Sequence, residues 1–145
     1  MTLDEIQEMW ENDSEIDDNH LGEASTTSAK LHSKYLKLLI DAKLKLAKYN
    51  TDYNTLRAGK FRYYRGEMSR QELVDNGWDQ WQGTKPLKNE MDEFLTGDSD
   101  LNKLKLRIEY LNTMVYALES IMTSIRGRDW AIKNGIEWKK FLAGM

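Results

Sequence analysis

"LNKLKLRIEYLNTMVYALESIMTSI", residues 101–125, decides the fold class. Within it Leu101, Leu104, Ile108, Leu111, Val115, Leu118, Met122 and Ile125 recur at alternating steps of three and four. That spacing lays all eight on one face of an α-helix and, sustained over about three and a half heptads, forms a seam that predicts a helix about 37 Å long. Asp98, Ser99 or Asp100 can cap its start, and Gly127 suits its stop. A second stripe, Tyr110, Met114, Ala117 and Ile121, widens the apolar face beyond what one neighbour covers. Two neighbours are implied, one of them from another subunit.

Working outward, the same periodicity occurs earlier in the chain. Ala24, Ser28, Leu31, Tyr35, Leu38, Ala42, Leu46, Tyr49, Tyr53 and Leu56 are each three or four residues apart, which predicts one long helix. Lys30, Lys34, Lys37, Lys43, Lys45 and Lys48 fall between them, so the other faces are wet and cationic. The helix runs into "GKFRYYRG", residues 59–66, where Gly59 weakens it and Gly66 ends it.

Between the two long helices Gly66, Gly77, Gly83 and Pro86 punctuate an irregular stretch, and "LKNEMDEFLT" reads as a short acidic helix. Beyond residue 127, "RDWAIKNGIEWKKFLAGM" reads as a last helix weakened at Asn134 and Gly135. Trp130, Trp138, Phe141 and Leu142 give this tail a large apolar content. It either folds back on its own long helix or joins subunits. No internal repeat or low-complexity segment is present.

Composition bounds the function. The chain has 145 residues, 40% hydrophobic and 31% charged, with one proline and no cysteine. That is one domain with a real core and no disulfide or thiolate chemistry, in keeping with a reducing compartment. The acidic start "MTLDEIQEMWEND" is unlike a signal peptide, and no stretch approaches the ~20 apolar residues of a membrane span. A cytoplasmic protein is expected. His20 and His32, the only histidines, lack the spacing of paired metal ligands, and the chain carries no phosphate-cradling glycine motif. No catalytic residue, metal or cofactor is expected, and the chain does not read as an enzyme.

The net charge of −3 conceals segregation. Residues 1–29 carry nine acids and no Lys or Arg, residues 30–70 eleven bases and three acids, residues 71–100 two bases and eight acids, and residues 101–145 eight bases and four acids. The second block, at +8, sets up a field that attracts polyanions within the roughly 8–10 Å that screening allows. The acidic arm 1–29 reads as a solvated leader or a partner contact. In "GKFRYYRG", cations alternate with aromatic rings, the two groups that single-stranded nucleic acid needs for phosphates and bases. Phe61 and Tyr64 could equally extend the buried face from Leu56. On residues alone, nucleic-acid binding and a helical scaffold or adaptor role both stay open.

The opening "LDEIQE", the later "LHSKYL" and above all "LRAGKFRYYRG" resemble the N-terminal half of the UvsY family of tailed-phage recombination mediators. The ending "WAIKNGIEWKKFLAG" resembles that family's oligomerising segment, with Ala131, Ile132, Lys133, Phe141, Ala143 and Gly144 in matching places, whereas residues 66–100 resemble it least. The family motif runs basic, any, basic, apolar, any, Tyr, Tyr, any, Gly. Lys60, Phe61, Tyr63, Tyr64 and Gly66 match it, while Ala58 replaces the first basic residue and Arg57, Arg62 and Arg65 stand nearby as further cations.

The resulting expectation is an all-α protein of long helices with heptad-like seams in a homo-oligomeric, ring-like assembly. Residues 1–97 would form a helical region binding single-stranded DNA, with its acidic leader, and residues 98–145 an oligomerisation region, together one structural domain. The DNA-binding candidates are Arg57, Lys60, Phe61, Arg62, Tyr63, Tyr64 and Arg65. The oligomerisation candidates are Met114, Ile121, Trp130, Ile132, Trp138, Phe141 and Leu142. The resemblance implies single-stranded DNA, a RecA-like recombinase, a single-strand DNA-binding protein and further copies of the chain, as a hexamer or heptamer, as partners. It implies the function of loading that recombinase onto protein-covered strands.

Overall fold

The computed structural model describes residues 1–144, and they contain helices and no strand. Five helices follow in order: α1 (Leu3–Asp13), α2 (Leu21–Tyr64), α3 (Arg70–Asn76), α4 (Met91–Thr96) and α5 (Ser99–Leu142). They contribute to two compact units, one of Met1–Leu44 with residues 112 onward, the other of Lys45–Leu111. These units do not part at residue 97: Asp98 and Leu101 belong with the end of α2.

Both seams are as the spacing predicts. Ala24, Ser28, Tyr35 and Ala42 are buried on α2, and Leu31, Leu38, Leu46, Tyr49, Tyr53 and Leu56 are half-buried. On α5, Leu101, Ile108, Leu111, Leu118, Met122 and Ile125 are buried, with Leu104 and Val115 half-buried. Gly66 takes φ +71°, its N–H donating to the Tyr63 carbonyl at 3.0 Å while the Glu67 N–H reaches Arg62 at 3.0 Å. This glycine-ended motif stops α2.

In the first unit, α1 is folded rather than a solvated leader. Thr2 and Glu5 cap it reciprocally, Ile6 is buried, and the Trp10 ring meets Tyr35 edge to face at 5.3 Å. The Asp13 carboxylate accepts the Tyr35 hydroxyl at 2.8 Å and Lys34 Nζ at 2.6 Å. Burial works to raise that carboxyl, but Lys34 and Tyr35 outweigh it and hold it below the ordinary value. Buried Arg128 donates to the carbonyls of Asp13 at 3.1 Å and Glu15 at 3.4 Å, placing a cation at the negative end of α1.

Three expectations need correction. Gly127 does not stop the helix, and Asn134 and Gly135 do not break a separate tail: α5 runs unbroken to Leu142. Its buried stripe continues through Arg128 and Ile132, so a charged residue in a core position conceals the periodicity. The stretch after Gly66 contains a further helix, α3, begun by the Ser69 hydroxyl accepting from the Glu72 N–H and ended by Gly77 at φ +70°. Finally, the short acidic helix starts only at Met91.

An uninterrupted α5 makes a discriminating prediction. A Cβ at Gly127 would meet nothing within 4 Å, so Gly127→Ala should stabilise the protein by about 1 kcal/mol, seen as a higher urea midpoint. A lower midpoint would restore Gly127 as a helix stop.

Candidate nucleic-acid interface

The basic and aromatic residues at the end of α2 are consecutive in sequence, but 100° of rotation per residue divides them between two faces. Lys60, Tyr63 and Tyr64 turn inward within the Lys45–Leu111 unit. Tyr64 is buried in a cluster with Met91, Leu95 and Leu101, flanked by Tyr53, Leu56, Tyr63, Trp81 and Phe94. Its ring meets Trp81 edge to face at 4.9 Å, and its hydroxyl donates to Asp98 Oδ2 at 2.6 Å. Trp81 lies so close over Gly83 that a Cβ there would collide with the ring. The Tyr63 hydroxyl donates to the Asp79 carbonyl at 2.6 Å.

Lys60 is only 5% exposed. Its ammonium lies 2.8 Å from Asp100 and 3.3 Å from Asp98, and 4.0 Å from the centre of the Trp78 ring. Burial pushes the Asp98 carboxyl upward, but the Tyr64 hydroxyl, the Leu101 amide and Lys60 together hold it below the ordinary carboxylate value. The same pairing raises the Tyr64 hydroxyl, through burial first and the Asp98 hydrogen bond second. Lys60 and Tyr64, both expected at the DNA, are therefore held as internal struts of this unit.

The other face is open. Phe61 is 36% exposed, and the Arg65 guanidinium lies 5.5 Å from its ring centre. Arg57 is exposed at 3.5 Å from Asp92, and Arg62 is exposed with a two-point contact to Glu72 at 2.8 and 3.2 Å. Arg65 Nε lies 3.0 Å from Glu67. A flat ring with guanidinium groups around it can contact a base and its neighbouring phosphates. Sequence reasoning missed the acids that face these cations and the roles of Trp78 and Trp81. The acidic block directly after the basic one was the available signal.

The oligomerisation candidates divide as well. Met114, Ile121 and Ile132 are buried within the first unit, so the chain itself covers them. Trp130 and Phe141, 71% and 70% exposed, remain open with Trp138 and Leu142, and the Trp138 and Phe141 rings stack at 5.5 Å.

Fold and site together define a class: an all-helical protein that presents guanidinium groups and an aromatic ring at a helix end. Residues 9–145 match the family described as "Recombination, repair and ssDNA binding protein UvsY", and the chain belongs to that family. It is 24% identical over 144 residues to the recombination protein uvsY of Enterobacteria phage T4, covering 99% of each chain. Crystal structures of the bacteriophage T4 recombination mediator protein UvsY share the fold. One superposes with a TM-score of 0.86 at 22% identity, covering 99% of this chain and 98% of that one. Another, in a different lattice, gives 0.85 at 21% identity, covering 97% and 99%.

The inward position of Lys60 sets a test. Lys60→Ala strands Asp98 and should cost about 3 kcal/mol of stability, the low end for a broken buried pair because Tyr64 and Leu101 still serve that carboxylate. Arg62→Ala, at an exposed pair, should leave the urea midpoint nearly unchanged. Urea unfolding of both variants checks the contrast, and equal small losses would show Lys60 to be dispensable for the fold.

Proposed function

We propose that this chain is a recombination mediator that binds single-stranded DNA with the outward face of the α2 end. Phe61 supplies a ring for a base, and Arg57, Arg62 and Arg65 supply cations for the phosphates. The observation that carries the reading is the exposed Phe61–Arg65 pair in a chain of this family. Lys45 and Lys48, exposed on the same helix and in the same unit, add positive charge to that unit. Lys60, Tyr63 and Tyr64 hold that face in place from behind.

In this reading residues 1–97 carry the DNA contact and residues 98–145 carry assembly. Trp130, Trp138, Phe141 and Leu142 meet further copies of the chain in a ring of the hexamer or heptamer class. Exposed apolar side chains on one helix end support this, since such surface is normally covered. The assembly would load a RecA-like recombinase onto strands held by a single-strand DNA-binding protein. Its place of action would be the cytoplasm, and among the described residues no helix is long and apolar enough to cross a membrane.

Affinity for a thymidine oligonucleotide should fall with salt at a log–log slope of about −0.7 per phosphate neutralised. Replacing Arg57, Arg62 and Arg65 by alanine should flatten that slope; salt-independent binding would reject phosphate contacts by these arginines, and no binding at all would leave the scaffold role in place of the DNA reading. Assembly has its own test. Removing residues 138–145 should reduce the mass seen by light scattering, and should weaken binding to a long oligonucleotide more than to one spanning a single site, because only the long strand uses several subunits. An unchanged mass would show that the tail joins nothing.

A further inference from the structure

Each cation of the α2 end faces a carboxylate, and all of those carboxylates come from the acid-rich stretch directly after it. Arg57 meets Asp92, Lys60 meets Asp98 and Asp100, Arg62 meets Glu72 and Arg65 meets Glu67. All of these residues belong to the Lys45–Leu111 unit. A carboxylate presents a guanidinium with a pair of oxygens much as a phosphate does, and Glu72 takes Arg62 in this two-point manner.

We propose that residues 67–100 act as a built-in competitor for DNA phosphates, whose carboxylates must leave the arginines as a strand binds. The inference rests on the nucleic-acid reading of the α2 end. Three pairs are exchangeable: Arg57–Asp92, Arg62–Glu72 and Arg65–Glu67 all have solvent-exposed side chains. Lys60 is the exception, since both it and Asp98 are buried and exchange there would dismantle the fold. The motif therefore combines one fixed ion pair with three replaceable ones. Each replaceable pair lowers affinity, because its attraction must be given up before a phosphate gains the arginine. Asp75 provides an internal comparison: it is an acid of the same stretch, but its side chain accepts from Gln71 at 2.8 Å.

Anisotropy titrations of a thymidine oligonucleotide with the full-length protein at fixed low salt test this. Glu67→Gln, Glu72→Gln and Asp92→Asn keep side-chain shape and remove one charge each. Each should strengthen binding about two- to fivefold, the range for releasing an exposed pair. Asp75→Asn makes the same change in net charge and should give less than about a twofold gain. In an Arg57→Ala background, Asp92→Asn should lose most of its effect, since a coupled pair is not additive. Thermal unfolding by circular dichroism confirms that each variant is folded. If the intact protein binds and Glu72→Gln and Asp92→Asn bind no better than Asp75→Asn, the competitor is overturned while the DNA reading stands. If neither the intact protein nor any folded variant binds, both are overturned.

Discussion

Asp98 is the point on which the Lys45–Leu111 unit depends. One of its oxygens accepts the Leu101 N–H at 3.0 Å and so caps α5. The other accepts the Tyr64 hydroxyl at 2.6 Å and lies 3.3 Å from the Lys60 ammonium. The start of one long helix and the end of the other are thereby tied through a single buried carboxylate. The helix dipoles favour this arrangement, since the anion sits at the positive end of α5 and the cation near the negative end of α2. Burying an ion pair is costly, and only full hydrogen bonding makes it tolerable. Here Asp100, Tyr64, Leu101 and the Trp78 ring supply the remaining contacts.

That tie fixes which side of the motif faces out. With Lys60, Tyr63 and Tyr64 committed inward, Arg57, Phe61 and Arg65, at spacings of four, form a neighbouring stripe that is exposed. The inward residues give the outward ones their rigidity. Contacts made by a fixed backbone lose less conformational freedom on binding than contacts from a loop. A substitution in this motif can therefore act on fold, on binding or on both, according to the face it occupies.

The long helices were legible because steps of three and four leave few alternatives. Every position of the α2 stripe from Ala24 to Leu56 is at least half-buried. Legibility failed where a residue of the wrong chemical type held a structural place. Arg128 occupies a buried position and serves the backbone carbonyls of Asp13 and Glu15, so the apolar spacing ends at Ile125. Gly127 resembles a stop, but a lone glycine inside a helix costs only about 1 kcal/mol, which the packed stripe on either side outweighs. The α3 cap, Ser69 and Glu72, was visible as a Ser-x-x-Glu pattern but was masked by the surrounding glycines. The pairing of Met114 and Ile121 with other parts of their own chain could not be read, because one sequence does not say which neighbour covers an apolar stripe.

The candidate site was legible in type but not in orientation. Composition identifies cations and aromatic rings, whereas orientation depends on Asp98 and Asp100, some forty residues away. The same distance hides the electrostatic state of the site. A sum over residues 30–70 gives a strongly positive block, yet in the folded unit Arg57 and Arg62 stand beside carboxylates from the next block and Arg65 beside Glu67 of its own. Local charge in a folded protein is set by which blocks the fold brings together. On the proposed reading, a strand approaching the α2 end would meet arginines that already hold anions, so its hold on any one subunit would be moderated. In the proposed assembly, tight binding then has to come from repetition of the site along the strand, and weak individual contacts leave each stretch of DNA free to pass to another protein.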